Sequence, residues 1–240
     1  MSVAARVYFN AHLEAGHTYR LSDEAARHVQ VLRMQPGMRL HVFNGLGGYF
    51  DVTIEQMDKQ GVSIQVVSFH PEDAVVHCQT QLVIGMPANE RMDWLVEKAT
   101  ELGVSRITPV MTQRTVLKLQ GERAHKRQLH WLGIAQSACA QSGRNLLPTI
   151  DEPLTWGEWT VQHPVSQSMR VMLSLAKDIP SWRDIWLKPP AQLTLLSGPE
   201  GGLTPQEEDQ AQAMGFKAVS LGPVTLRAET AAIAALAQLL

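Results

Sequence analysis

Three glycines, Gly198, Gly201 and Gly202, fall within the segment LLSGPEGGLTPQEED, between a strand-like stretch and a helix-like one. Glycine adopts positive φ angles and lets a ligand approach main-chain N–H and C=O groups closely. A second Gly-Pro pair, Gly222-Pro223, follows another strand-like stretch. A lone glycine-rich turn indicates only a tight connection. Two such loops predict a pocket rimmed by backbone polar groups, suited to a flat heterocycle such as adenine.

The same segment is unsuited to phosphate. A P-loop places Lys and then Ser or Thr after its second glycine, whereas Leu203 follows Gly202 here, and no G-x-G-x-x-G fingerprint occurs. Glu200 and the acidic run at 207–209 would also repel an anion. The predicted ligand is therefore a neutral or cationic nucleoside-like molecule.

A third stretch with chemical potential is LRAETA, residues 226–231, at the start of a predicted helix. In one interpretation Glu229 and Thr230 cap the helix and Arg227 forms a salt bridge. In the other, Arg227 holds a phosphate or a developing oxyanion. The residues leave both interpretations open, and both can hold together.

The elements that must position these loops lie after residue 75, where strand-like and helix-like segments alternate. Near-continuous apolar strands predict a mainly parallel sheet covered on both faces. Ligands of such sheets lie beyond the carboxyl ends of the strands, where we expect the loops at 176–177, 197–202 and 221–226. Helices are predicted over residues 89–103, with Asn89 as N-cap, and over 122–143, 181–187, 205–215 and 228–240.

Residues 1–72 follow another pattern. Four short strands rich in Val, Ile, Phe and Tyr surround one helix, with Ser22 or Asp23 as its N-cap. This arrangement predicts a small barrel. We place the domain boundary at the polar, proline-containing HPEDAVV segment, which gives domains of residues 1–72 and 73–240.

Composition and charge narrow the function classes. Hydrophobic residues make up 45% of the chain, enough for a core, and the net charge of -2 excludes a globally basic nucleic-acid coat. Between residues 102 and 150, seven Lys or Arg residues accompany one acid, which indicates a local positive surface or merely a solvated helix face. Two cysteines and scattered histidines predict no metal site and suit the cytoplasm. No signal peptide or membrane-length apolar run is evident.

Several segments, taken together, resemble one known family. They are MDWLVEKATELGVSRITPV, QRTV, AQSGRNLLP, LSGPEGGLTPQE, LGPVTLRAETA and the N-terminal VLRMQPGMRLHVFNGLGG. In this order they resemble the RsmE family of 16S ribosomal RNA (uracil-N3)-methyltransferases in the SPOUT superfamily. The resemblance implies a small PUA-like RNA-binding β-barrel, then an α/β SPOUT domain with a deep trefoil knot, assembled as a homodimer.

The resemblance also implies the ligands. The cofactor is expected to be S-adenosylmethionine, whose sulfonium cation suits the acids near Glu200 and Glu229. The substrate is expected to be a uridine of 16S ribosomal RNA in the small ribosomal subunit, methylated at N3. The residues predicted to hold the cofactor are Leu173, Leu175, Ser197, Gly198, Pro199, Glu200, Gly201, Gly202, Leu221, Gly222, Leu226 and Thr230.

Transfer to N3 requires removal of its proton and stabilisation of the uridine anion. Arg227 is the first candidate for the anion, followed by Arg114 and Arg144, and Glu229 is the predicted proton acceptor. Arg91 and Asp93 are expected to be solvated, and Trp94 and Trp131 to lie in the core or at a dimer interface. The residues predicted to bind RNA phosphates are Arg6, Arg20, Arg27, Arg33, Lys118, Arg123, Lys126, Arg127 and Arg144.

Two alternatives remain at this point. One is a non-catalytic RNA-binding or ribosome-assembly module that retains the fold, although such a binder has no need of the glycine loop. The other is a related methyltransferase that acts on tRNA or on a ribose 2′-hydroxyl.

Overall fold

In the computed structural model the chain forms two compact units, and the structure describes residues 5–74, 76–165, 168–185, 188 and 190–240. The first unit comprises Met1–Val75 and Gln136–Leu147, and the second comprises Val76–Ala135 and Pro148–Leu240. The sequence-based division into residues 1–72 and 73–240 does not include the returning segment 136–147, and that division stays a prediction.

A five-stranded sheet, one helix of its own and the returning segment 136–147 form the first unit. The strands are β1 (Arg6–Tyr8), β2 (Thr18–Arg20), β3 (Arg39–Phe43), β4 (Tyr49–Asp58) and β5 (Gly61–His70). Their order is β1-β3-β4-β5-β2, and only β1 pairs with its neighbour in parallel. Alternate residues of β4 and β5 are buried, as expected for strands that cover a core with one face.

Helix α1 (Asp23–Val31) packs on this core through Ala25, Ala26 and Val29. Ser22 is its N-cap, and the Ser22 hydroxyl accepts the N–H of Ala25. The predicted helix is therefore confirmed, with the cap assigned to the serine. Strand β2 was not predicted, because three partly exposed residues carry no apolar alternation.

The second unit is built on a parallel sheet. Its strands are β6 (Gln79–Gly85), β7 (Arg106–Met111), β8 (Thr149–Ile150), β9 (Leu154–Thr155), β10 (Met169–Leu173), β11 (Gln192–Ser197) and β12 (Lys217–Val219). The order is β12-β10-β11-β6-β7-β8, with β9 also on β7, and every pairing is parallel. The prediction of a mainly parallel sheet is thus confirmed.

Five α-helices accompany this sheet: α2 (Asn89–Glu101), α3 (Glu122–Ser142), α4 (Trp156–Gln162), α5 (Pro205–Ala213) and α6 (Ala228–Ala237). The N-cap of α2 is Ala88, without a side-chain cap, so the prediction of Asn89 as the cap is wrong by one residue. Residues 181–187 were predicted as a helix. The structure has one 3-10 turn there, Trp182–Asp184, and Trp186 and Leu187 lie outside the described residues.

Helix α4 is an element that the sequence patterns did not predict. Thr155 and Glu158 form its capping box, and Trp156 and Trp159 are buried. The Trp159 ring stacks on Trp156 and on His163, with centroid distances of 5.3 and 4.6 Å. Seven residues are too few for the apolar period of a helix to be recognised in the sequence. This helix is instead held in place by the burial of its aromatic rings.

Two further features concern the described residues. No helix among them combines the length and apolar character needed to cross a membrane. No group of three or more His, Cys, Asp or Glu side chains in that part of the chain is arranged to hold a metal ion.

Burial of Cys139 leads to a testable prediction about the first unit. Its side chain is fully enclosed, and burial raises the pKa of the thiol to about 11, although Arg144 and Arg6 act in the opposite direction. Because the thiolate is the reactive form, iodoacetamide should modify native Cys139 far more slowly than an ordinary thiol at about pH 8. Mass spectrometry of the peptides that contain Cys139 measures the rate separately from that of Cys78, the other free cysteine, and the chain unfolded in guanidinium chloride is the control. Fast labelling of native Cys139 would contradict this packing.

Candidate active site

A pocket of about 520 Å³, here called the main pocket, lies where three strands of the second unit end. Strands β12, β10 and β11 are neighbours, so the loops that follow Val219, Leu173 and Ser197 leave the sheet at one edge. The carboxyl edge of a parallel sheet is where such folds bind ligands. The volume of the main pocket lies within the range of roughly 300–1,000 Å³ that is typical of small-molecule sites.

The structure brings together nearly all of the residues predicted to hold a cofactor. Every one of them except Thr230 lines the main pocket, as do Arg114 and Arg227. Glu229 and Thr230 instead line a second pocket of about 270 Å³, here called the side cavity, with Glu90, Arg91 and Trp94. Arg91 borders both pockets, so they share a wall.

The turn at residues 198–203, here called the glycine turn, contains three glycines, and glycine is favoured at each position for a different physical reason. Gly202 has a φ of 70°, in the left-handed region that disfavours side chains, and its N–H donates to the Pro199 carbonyl at 2.8 Å. A Cβ on Gly198 would lie 2.9 Å from the Leu203 nitrogen, and a Cβ on Gly201 would lie 3.1 Å from the Arg114 Cβ. The turn therefore folds back on itself too closely for a side chain at Gly198, whereas a side chain at Gly201 would have to displace Arg114.

Gly85, at the end of β6, is a site residue that the sequence did not reveal. A Cβ at this position would lie 2.6 Å from the backbone nitrogen of Pro199. The register between β6 and β11 pairs Ile84 with Ser197, so Gly85 lies beside the first residues of the glycine turn. A glycine that ends an apolar strand is the one local signal for such a close approach.

Arg114 and Glu207 hold the glycine turn in place. Arg114 Nη1 donates to the carbonyls of Gly201 and Leu203, at 2.8 and 3.2 Å. Buried Glu207 accepts the N–H of Gln113 at 2.7 Å through Oε1 and that of Thr204 at 2.8 Å through Oε2. The guanidinium of Arg114, predicted to stabilise an anion, thus has a structural task, and its catalytic role stays a prediction.

Glu200 and Arg91 form a pair that the sequence reasoning missed. Glu200 Oε1 accepts the N–H of Ala88 at 2.9 Å and Nη1 of Arg91 at 3.1 Å. Burial acts to raise the pKa of Glu200, but the N–H groups of Ala88 and of Glu200 itself and the Arg91 guanidinium together hold that pKa below its ordinary value. Arg91 Nε also lies 3.9 Å from Glu229 Oε1. Arg91 is therefore an ion-pair partner and not simply a solvated side chain.

The neighbouring residues of α2 also differ from expectation. Asp93 accepts the Trp131 Nε1–H at 3.0 Å and lies 2.9 Å from His130 Nε2, so it is engaged and not simply solvated. Trp131 is buried, which fits a core position, whereas Trp94 is 42% exposed and lines the side cavity. Of the two predicted positions, the core is thus wrong for Trp94, because its stripe on α2 is only partly covered, and a place at a dimer interface stays a prediction.

Glu208 is the second carboxylate of the main pocket. It lies in the first turn of α5 and accepts a hydrogen bond from the Ser174 hydroxyl at 3.3 Å, while that hydroxyl accepts the N–H of Ala176. Within the described part of the chain, no cation lies at ion-pair distance from Glu208. Glu208 is therefore a pocket carboxylate without a cationic partner among the described residues, and it has acceptor capacity to spare.

The predicted RNA-binding residues divide into exposed and engaged groups. Arg127 is half-buried, and the exposed ones are Arg20, Arg27, Arg33, Lys118, Arg123 and Lys126. Lys118 donates to the Thr112 carbonyl at 3.2 Å, and Lys126 pairs with Glu122 at 2.8 Å. Such single contacts of exposed cations are weak and leave them able to meet a phosphate.

Arg6 and Arg144 have other surroundings. The Arg6 guanidinium hydrogen-bonds to Asn145 and to the carbonyl of Arg144, and lies 5.2 Å from the ring centroid of Phe43. Arg144 is only 8% exposed, and burial lowers the pKa of both arginines. In this structure the Arg144 side chain offers little surface to RNA, and Arg6 contributes to packing within the first unit.

Comparison with known proteins now identifies the family. A family model described as an RNA methyltransferase domain matches residues 76–240, and one described as an RNA methyltransferase PUA domain matches residues 21–67. Ribosomal RNA small subunit methyltransferase E of a Synechocystis strain is 32% identical over 88% of this chain and 68% of its own. The Bacillus subtilis protein of that name is 26% identical over 93% and 90%. This chain belongs to the small-subunit ribosomal RNA methyltransferase E family.

Solved structures of this family agree in fold. A ribosomal RNA small subunit methyltransferase E from Neisseria gonorrhoeae, bound to S-adenosyl methionine, superposes with a TM-score of 0.92 at 34% identity over 98% of this chain and 96% of its own. A Legionella pneumophila protein with the cofactor SAM bound gives the same values. The expected α/β methyltransferase fold with a PUA-type N-terminal domain is therefore confirmed, whereas the trefoil knot stays a prediction.

The close approach at Gly85 yields a sharp test of this site. Gly85→Ala should push the Cβ into the backbone of Pro199 and cost about 1–3 kcal/mol of stability, with weaker ligand binding in the main pocket. Gly133→Ala in α3 is the matched control, because a Cβ there meets nothing within 4 Å. It should be neutral or stabilise by up to about 1 kcal/mol. Thermal denaturation measures both, and equal effects of the two changes would contradict the described contact.

Proposed function

We propose that this chain transfers a methyl group from S-adenosylmethionine to N3 of a uridine in 16S ribosomal RNA of the small ribosomal subunit. The observation that carries the proposal is the main pocket, where three loops at the carboxyl edge of a parallel sheet meet in a member of this family. The proposal includes a homodimer, a knotted second domain and a cytoplasmic location, where small subunits are assembled.

The residues of the main pocket fit the proposed cofactor. S-adenosylmethionine, when bound, supplies an electrophilic methyl group on a sulfonium. Leu221 and Leu226 provide apolar surface for a heterocycle, and the glycine turn exposes main-chain groups at the rim. Glu208, positioned by Ser174, is an acceptor for hydroxyl or ammonium donors.

Two residues would act on the uridine. Glu229 is the proposed acceptor of the N3 proton: its Oε2 has no hydrogen-bond partner among the described residues, but this oxygen is buried beside the side cavity, so the substrate must expose it before it can act. The charge then left on the uracil spreads over its carbonyl oxygens. Arg227 is exposed at the rim of the main pocket, with no ion pair in the described part of the chain, and its guanidinium would stabilise those oxygens.

The RNA itself would be held by exposed cations on both units. Arg20, Arg27 and Arg33 lie on the first unit, and Arg123 and Lys126 lie in the first turns of α3 on the second. Phosphate contacts of this kind position an RNA without reading its sequence. Selection of one uridine would then depend on the shape of the small subunit around it.

The proposed function is tested in two steps. Isothermal calorimetry with S-adenosylhomocysteine should show one site per chain. Incubation of the protein with unmodified small subunits and S-adenosylmethionine should then produce N3-methyluridine, detected by mass spectrometry of nucleosides from 16S RNA. A 2′-O-methylated nucleoside, or modification of tRNA alone, would overturn the proposed acceptor atom or substrate. Binding without any methylation would support the non-catalytic alternative.

Arg227 supplies a second prediction. Arg227→Ala should lower kcat by about 100-fold or more, the scale of losing one oxyanion donor, with S-adenosylhomocysteine affinity changed by less than about threefold. Arg227→Lys keeps the charge without the planar fork and should be intermediate. Calorimetry and single-turnover methylation separate the two quantities. Equal losses in affinity and turnover would instead make Arg227 a pocket residue.

A further inference from the structure

We propose that Arg91 is a positioning residue that links the glycine turn to the start of α6, both of which line the main pocket, because its guanidinium hydrogen-bonds to Glu200 and lies within ion-pair distance of Glu229. This inference rests on the proposed function, since it concerns how the same site is kept ready for its cofactor. Neither the charge pattern nor the resemblance assigns Arg91 any role.

The geometry places Arg91 between segments that are distant in the chain. Arg91 lies in the first turn of α2, with Nη1 3.1 Å from Glu200 Oε1 and Nε 3.9 Å from Glu229 Oε1. Glu200 follows β11, whereas Glu229 lies in the first turn of α6. One cation therefore joins the turn on one side of the pocket to the helix start on the other.

The burial of Glu229 makes this cation necessary. The Glu229 side chain is only 10% exposed, and its Oε2 has no hydrogen-bond partner among the described residues. A buried carboxylate without a countercharge is costly, and removing one member of such a pair leaves the other uncompensated. Of the cations in the described residues, Arg91 is the one within ion-pair distance of Glu229.

Glu200 meets α2 through its backbone as well as through Arg91. The N-cap residue Ala88 has no side-chain cap, and its N–H donates to the same Glu200 oxygen that Arg91 contacts. A carboxylate at this position is also favoured by the helix dipole. Glu200 thus caps α2 from a distant segment, and Arg91 supplies the second contact that fixes its orientation.

The expected consequence is an ordering cost for the ligand. Without Arg91 the glycine turn and the start of α6 are no longer linked, so that binding must order them. We expect Arg91→Ala to weaken S-adenosylhomocysteine binding by about tenfold, comparable to the cost of ordering a small number of side chains. Arg91→Lys should recover most of this loss, because the ammonium can still meet Glu200.

The decisive measurement is a double-mutant cycle with calorimetric dissociation constants for S-adenosylhomocysteine. The variants are Arg91→Ala, Glu200→Gln and their combination. If Arg91 acts through Glu200, the dissociation constant of the double variant should exceed that of the weaker-binding single variant by no more than about twofold. A double variant whose loss of affinity equals the product of the two single losses would overturn the coupling.

Lys98→Ala is the matched control on the same helix. The Lys98 ammonium contacts Glu97 and Glu101, at 2.7 and 2.8 Å, and borders neither pocket. Removal of the Lys98 side chain should leave the dissociation constant unchanged. The control thus distinguishes a general effect of losing a cation from α2 from the specific effect of losing Arg91. Melting curves without ligand check that each variant is folded.

The outcomes distinguish this inference from the proposed function. If the wild-type chain binds no S-adenosylhomocysteine, the proposed cofactor is wrong. If the wild-type chain and Arg91→Ala bind equally well, only the role of Arg91 falls. Should Arg91→Ala unfold because Glu229 loses its partner, Arg91→Lys and Glu200→Gln still decide the question. Because Glu200 itself lines the main pocket, the deciding set is then Arg91→Lys, Glu200→Gln and their combination. Non-additive losses support the link, and multiplied losses or unchanged binding overturn it.

Discussion

The main pocket depends on side chains that hydrogen-bond to the backbone of the glycine turn, because the turn leaves some of its own carbonyls without backbone partners. The carbonyls of Gly201 and Leu203 belong to neither a strand nor a helix, and Arg114 donates to both. Leu203 is buried, and a buried backbone group left without a partner costs about 1–3 kcal/mol, so the bond from Arg114 to its carbonyl is a condition for the turn, whereas the bond to the Gly201 carbonyl lies at the exposed rim. The glycines permit the shape, whereas Arg114 and Glu207 maintain it.

Charge in the pocket is organised differently from the expectation of an acidic site. Glu200 and Glu229, expected to attract a sulfonium, both face Arg91. One guanidinium faces two carboxylates, so Arg91 compensates only part of their combined charge before any ligand binds. Glu208, which the Ser174 hydroxyl orients without neutralising it, adds a further carboxylate to the main pocket. Preference for a cationic or hydroxyl-bearing donor would then arise from the remaining negative charge and from main-chain carbonyls.

Short sequence patterns predicted the features of this protein that depend on residues close together in the chain. Apolar runs marked the parallel strands, and the two Gly-Pro pairs marked loops that do line one pocket. The roles of Gly85 and Arg91 depend on strand register and on contacts between distant segments, which no window of sequence encodes. The burial of Arg144 was missed for a similar reason, because a count of charges does not show which cations the chain encloses.

The register between strands β6 and β11 determines both the contact of Gly85 and that of Arg91. Strand β6 pairs with β11 so that Ile84 faces Ser197, which places Gly85 against Pro199 at the start of the glycine turn. Because α2 follows β6 after a short connection, the same pairing delivers the Ala88 N–H and the Arg91 guanidinium to Glu200. A slip of one residue would move both donors away together and turn a side chain toward the turn. Strand pairing at the centre of the sheet therefore determines where the charges of the pocket meet.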